Sequence, residues 1–185
     1  MTPQPLERAE LKRLLGARMS KRDRALLALL YRAGLRCAEA CAMRMEDIRC
    51  VQARLIVKVS KPKNLARGAP QRELGLDPKT ESILREWLQT RGDAPGFVFA
   101  TRSGSAVDTS HVRRVLGRLR KRTGIQRRVH AHGLRHTFAR ELYDEGIGLR
   151  EIQDALGHRN LATTDRYLRT LGVSAAVAAT QGRTW

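Results

Sequence analysis

Apolar positions along this chain recur with a helical spacing far more often than they alternate. Residues 6–15 and 21–33 read as two helices, the second given an apolar body by Leu26, Leu27, Leu29 and Leu30. Gly34 stops that helix, and residues 37–43 restart a short, Ala-rich one. The period then changes. Across 54–59, Leu55, Val57 and Val59 alternate with Arg54, Ile56 and Lys58, a strand-like pattern with Ile56 as its one exception. Residues 60–64 turn the chain and 71–76 can return as a partner strand. The loop 61–70 between them holds Lys61, Lys63 and Arg67. Helices are predicted over 79–91, 108–122, 133–145, 149–156 and 161–170, with a short strand at 97–100. The last three helices are separated by Gly146-Ile147-Gly148 and by Gly157-His158-Arg159-Asn160. The expected class is α+β, mostly α-helical, with a small antiparallel β-sheet.

Charge narrows the function. Lys and Arg number 36 against 18 Asp and Glu, a formal charge of +18 in 185 residues. Such an excess repels itself and calls for a polyanionic partner, nucleic acid or an anionic membrane surface. The chain is 42% hydrophobic, too apolar for a disordered basic tail. Its 4% aromatic content is too low for a platform that stacks single-stranded bases. The longest apolar run, 25–31, falls far short of the roughly 20 residues that cross a bilayer. Residues 1–13 lack the apolar core of a secretory signal, so a cytoplasmic, nucleoid-associated protein is expected, with no membrane partner. The helix over 108–122 carries Arg113, Arg114, Arg118, Arg120, Lys121 and Arg122, and is read as a phosphate-tracking element. Lys63 and Arg67 are further DNA-contact candidates.

Cys37, Cys41 and Cys50 show neither the paired spacing nor the even number of a zinc site or disulfide framework. Cys37 and Cys41, four apart, share a helix face as small apolar residues. No Walker A loop, dinucleotide-binding glycine motif, zinc-hydrolase HExxH or GxSxG elbow is present. What remains is a dense C-terminal constellation: His132-Gly133-Leu134-Arg135-His136, then Leu156-Gly157-His158, then Thr163-Thr164-Asp165-Arg166-Tyr167. His132 and Arg135, three apart at a helix start, project from one face beside an N-terminus that favours an anion, which makes a phosphate site. Leu134, Phe138 and Leu142 are expected to bury the opposite side. Gly157 suits a left-handed helix end, Asn160 can cap the next helix, and Tyr167 lies about two turns into it.

These blocks, with Gly34-Leu35-Arg36-Cys37-Ala38-Glu39 before them, resemble the catalytic domain of tyrosine recombinases of the phage integrase family, in order and spacing across residues 6–170. The resemblance implies that Arg36 and Arg135 clamp a scissile phosphate, that His132 and His158 assist by hydrogen bonding and proton transfer, and that Tyr167 is the nucleophile. The family's lysine lies in a turn between two strands, where Lys61 fits best and Lys63 is the alternative. Two fixed guanidiniums can stabilise charge on the non-bridging oxygens without a metal. A phosphotyrosine stores the bond, so rejoining needs no ATP. No cofactor or metal is expected.

His136 projects about 100° from Arg135 and is read as a buried, hydrogen-bonded scaffold residue, and Glu39 as a structural acid set against a helix end or an arginine. His111 and His130 are assigned to the surface. Residues 1–171 are expected to form the catalytic domain, with the family's N-terminal core-binding domain absent. Residues 172–185 form a tail that can pack on a neighbouring protomer of a homo-oligomer, a tetramer, on double-stranded DNA. Site-specific recombination leads the functional readings. A type IB topoisomerase-like nicking and closing enzyme and a non-catalytic DNA-binding regulator are the alternatives.

Overall fold

The computed structural model describes residues 6–59 and 71–157. Its first helices are α1, Arg8–Gly16, α2, Lys21–Arg32, and α3, Cys37–Ala42. The Ser20 hydroxyl starts α2 by accepting the Asp23 N–H, and seven consecutive residues from Ala25 to Tyr31 are then buried. A helix apolar all round belongs at the centre of its fold. It packs there against α4, Pro78–Arg91, and α6, Ala131–Asp144. Asp77 caps α4, accepting from the N–H groups of Lys79 and Thr80, while Pro78 supplies the fixed φ of a first helical position. The remaining helices are α5, Thr109–Thr123, and α7, Leu149–Leu156.

Three antiparallel strands, β1, Ile48–Val51, β2, Arg54–Val59, and β3, Arg72–Gly75, form a sheet in the order β1-β2-β3. Alternation in β2 buries Leu55, Val57 and Val59, as the sequence pattern requires. The sequence reading missed β1. The β1–β2 turn is made by Gln52 and Ala53, both at positive φ, without the Asn or Gly that usually marks a two-residue hairpin. Residues 97–100, expected as a strand, make only isolated bridges, Phe97 to Arg44 and Ala100 to Ala106. Val98 and Phe99 are fully buried, so this apolar run reports burial between two different segments rather than a ladder.

A main core runs from Leu6 through α2, the sheet and α5 to Leu134, and a smaller cluster joins α6 to α7 through Ala139, Ile152 and Leu156. The buried N–H of Leu6 donates to Thr137 Oγ1 at 3.0 Å, tying the start of the described chain to α6. Among the described residues, no helix is long and apolar enough to cross a membrane.

Candidate active site

The residues expected to do chemistry converge where α3, α6, β3 and the end of α7 meet. Gly34 lies between α2 and α3 at φ +62°, a conformation that favours glycine. A Cβ there would sit 2.5 Å from the Phe138 ring. This geometry aims the Gly34 carbonyl at α6, where it accepts from Arg135 Nη1 at 2.5 Å. Gly157, at φ +63°, ends α7 in the left-handed conformation the sequence suggested. Its carbonyl accepts from Arg36 Nη2 at 3.0 Å, and the Leu156 carbonyl accepts from Arg135 Nη2 at 2.6 Å. Two left-handed glycines thus frame the two arginines.

Glu39 joins them. In the first turn of α3 its carboxylate accepts the Arg36 N–H at 2.8 Å and Arg36 Nη1 at 2.9 Å. It also takes a two-pronged pair from Arg72, at 3.0 and 3.1 Å, and lies 4.0 Å from Arg135. Burial would raise this carboxyl, but Arg72 and then Arg36 outweigh it and hold it below the usual carboxylate range. The expectation of Glu39 as a buried structural acid agrees with this geometry. Three guanidiniums around one carboxylate leave two positive charges uncompensated. The Arg135 guanidinium shows the consequence, since burial and then the neighbouring charge of Arg36 depress it well below its ordinary value. An anion placed here removes that repulsion.

The sequence pattern puts His132 and Arg135 on one face of the helix with an apolar stripe opposite. In the fold the two diverge. Arg135 is only 3% exposed and lies on the same buried side as Leu134, while His132 is exposed. Three residues span about 300° of helix, so the pair stands some 60° apart, enough to put one inside and one outside. His132 is nevertheless shielded enough that desolvation, then the charge of Arg135, lowers its pKa below the usual histidine value. The ring packs edge-on against His136, centroids 4.0 Å apart, and His136 is half-buried rather than buried.

Two histidines assigned to the surface have structural partners. His130 is the N-cap of α6, its Nδ1 accepting the Gly133 N–H at 2.9 Å, which starts that helix two residues before the expected position. His111 Nε2 lies 2.9 Å from Asp23 Oδ1 and ties α5 to α2. Arg72, buried among carboxylate and carbonyl acceptors, was missed: nothing in the sequence separates it from the other cations.

Along α5, Val112, Val115, Leu116 and Leu119 are buried, and Arg113, Arg114 and Arg118 are exposed. Arg120 turns inward in sequence, donating to the carbonyls of Ile125 and Gln126 to close the helix end. Helix α5 packs against α3, the helix that Arg36 caps. Cys37 and Cys41 lie one turn apart in α3, with Cys41 buried. Tyr167, His158, Lys61, Lys63 and Arg67 lie outside the described residues, so the structure assembles Arg36, His132 and Arg135 of the expected catalytic set. The described residues contain no group of three or more side chains suited to hold a metal ion.

The sequence profile of the phage integrase family matches residues 4–171. The chain belongs to that family. A tyrosine recombinase of Pseudothermotoga lettingae is 35% identical over 165 residues, covering 88% of this chain and 55% of the relative. Tyrosine recombinase XerA of Thermococcus kodakarensis is 34% identical over 172 residues, covering 90% and 58%. This member of the family therefore spans little more than half the length of these curated relatives. Among solved structures, the XerA recombinase superposes with a TM-score of 0.83 at 29% identity, covering all of this chain and 67% of that one. XerH site-specific recombinase bound to its palindromic difH substrate in a post-cleavage complex gives 0.79 at 28% identity, covering 97% and 53%. The fold is that of the tyrosine recombinase catalytic domain.

Proposed function

We propose that this integrase-family chain is a site-specific DNA recombinase that cleaves and rejoins double-stranded DNA through a 3′-phosphotyrosine intermediate. The observation that carries this reading is the cluster of Arg36, Arg72 and Arg135 around Glu39, which holds two uncompensated positive charges beside His132, where helices α3 and α6 pack against α5. In the proposed reaction the Tyr167 oxygen attacks the scissile phosphorus and the bond to the 5′ oxygen breaks. Arg36 and Arg135 neutralise charge on the non-bridging oxygens. His132 and His158 manage the tyrosine proton by hydrogen bonding and transfer. Lys61, with Lys63 as the alternative, protonates the leaving 5′ oxygen, which is general acid catalysis. Attack by a 5′ hydroxyl on the phosphotyrosine reverses the steps and rejoins a strand. Arg113, Arg114 and Arg118, with Lys63 and Arg67, contact DNA phosphates. Residues 172–185 reach a neighbouring protomer of a tetramer on DNA, and the protein works at the nucleoid.

Covalent trapping tests this. The chain is mixed with nicked suicide duplexes carrying candidate or random sites, with EDTA present, and a denaturant-stable adduct is sought. The expected result is an adduct that forms without metal and disappears in Tyr167→Phe. An adduct that persists in Tyr167→Phe overturns the assignment of the nucleophile. Bound DNA without an adduct on any duplex, including with the chain fused to a core-binding domain, overturns the enzyme reading in favour of a regulator.

A further inference from the structure

Arg36 is the guanidinium of the cluster that is open to a substrate, its side chain 36% exposed, and it has two firm acceptors: Glu39 Oε1 and the Gly157 carbonyl. Both acceptors are braced by one further residue. Arg72, on β3, is 9% exposed at its side chain and spends each of its nitrogens on the site: Nη1 on Glu39 Oε1 at 3.1 Å, Nη2 on Oε2 at 3.0 Å, and Nε on the Ala155 carbonyl at 3.0 Å. Its guanidinium also fills the space beside Gly157, where an added Cβ would lie 2.7 Å from Nη1.

A carboxylate offers about four lone-pair sites. On Glu39 these meet four donors, two from Arg36, its backbone N–H and Nη1, and two from Arg72. The fork of Arg72 fixes the plane of the carboxylate, because it takes one bond from each oxygen. With Arg72 in place, the Arg36 guanidinium engages Glu39 through Nη1 alone, and its donors not used by Glu39 or the Gly157 carbonyl stay available to an anion. Without Arg72, Glu39 is free to take Arg36 through a fork of its own, and the last turn of α7 loses its brace.

We propose that Arg72 is a positioning residue for Arg36, acting through Glu39 and the α7 terminus. Its side chain is almost wholly enclosed and each of its three nitrogens already donates within the cluster, so it acts on the substrate through Arg36. The role rests on the recombinase reading above, and it assigns a specific task to a residue on the sheet.

The test compares Arg72→Lys and Arg72→Gln with the unaltered chain in two ways. The first is nitrogen NMR of arginine side chains, with the Arg36 signal assigned through Arg36→Lys. Slow rotation of the Arg36 Nη groups is expected in the unaltered chain and is expected to be lost in both variants. The second is single-turnover adduct formation on a nicked duplex and on the same duplex with a methylphosphonate at the scissile position, where the charge met by Arg36 is gone. Adduct formation should fall roughly 10- to 100-fold on the phosphate substrate and recover to within about 3-fold of the unaltered chain on the methylphosphonate. A merely structural role would depress both substrates alike, and that result, or an unchanged Arg36 signal, overturns the proposal. If the unaltered chain forms no adduct, even when fused to a core-binding domain, the recombinase reading fails while the Arg36 signal still decides the positioning role.

Discussion

Two regions of this molecule are rich in arginine and use it in opposite ways. On α5, Arg113, Arg114 and Arg118 stand in solvent on the face opposite a buried apolar stripe, and their charge is screened by water and salt. At the junction of α3, α6, α7 and β3, Arg135 and Arg72 are buried, and their guanidiniums are committed to specific carbonyls and to one carboxylate. The exposed set can supply affinity and orientation on a polyanion. The buried set supplies a fixed local charge, which low dielectric makes strong and burial makes expensive. The count of cations points to a partner, whereas the partners of each cation point to the chemistry.

The largest expected effect separates the two regions directly. Arg135→Ala should lower single-turnover adduct formation by about 10²- to 10³-fold, since it removes a fixed charge aimed at the phosphate. Arg118→Ala should leave that rate unchanged once DNA is saturating. Equal losses in the two variants would erase the distinction drawn here.

Next comes the backbone that holds the buried set. Gly34→Ala adds left-handed strain of about 1–3 kcal/mol and a Cβ 2.5 Å from the Phe138 ring, for which overpacking costs about 1–3 kcal/mol more. Chemical denaturation should show a loss of that combined size. A change below about 1 kcal/mol would mean that the Gly34 turn can relax without moving Arg135.

On the exposed side, replacing Arg114 and Arg118 together by Ala should weaken DNA binding about equally across sequences. It should also reduce the slope of log affinity against log salt by about 2. Binding titrations between 50 and 200 mM salt, a window in which the effect is large, measure it, and an unchanged slope would remove α5 from the DNA-contacting surface.

The smallest expected effect concerns pH. Folding disfavours the charged rings of His130 and His132, so the unfolded chain binds more protons below the ordinary histidine value of about 6.5. Stability should be full above that value, decline as pH falls through it, and level off below the depressed folded values. Asp77 behaves in the opposite region: burial acts to raise it, but Arg32 and Thr80 hold it down at about 2. Its contribution is present above the ordinary aspartate value and is lost only as pH falls toward 2. Thermal melts from pH 8 to 5 isolate the histidine part, and His130→Ser, which keeps a cap, should flatten the curve. An unflattened curve would assign the decline to groups other than His130.

Much of the fold was legible because local rules agree with the tertiary outcome. Ser20 and Asp77 cap α2 and α4 where the pattern starts a helix, β2 alternates over the expected residues, and Gly157 adopts the left-handed end. The misses share a cause. Strand β1 is announced by neither of its turn residues, and 97–100 looks like a strand because buried apolar runs look alike in either state. His130 and His111 looked like surface residues because the groups that bind them, a backbone N–H of α6 and Asp23 on α2, are not visible as partners in a linear reading.

The sequence alone carried the class of the fold, through the periodicity of its apolar positions, and the charge excess of +18, while Arg36, His132, Arg135, His158 and Tyr167 stood out through their resemblance to the family's motifs. Only the tertiary structure decided that Arg135 faces inward while His132 faces out, and that Glu39 is shared by Arg36 and Arg72. It also decided that the carbonyls of Gly34 and Gly157 receive the two arginines. Apart from the local Arg36–Glu39 pair, those contacts join residues 33 to 121 positions apart. Hydrogen bonds of that reach are set by how helices and sheet pack, and no local pattern along the chain encodes them.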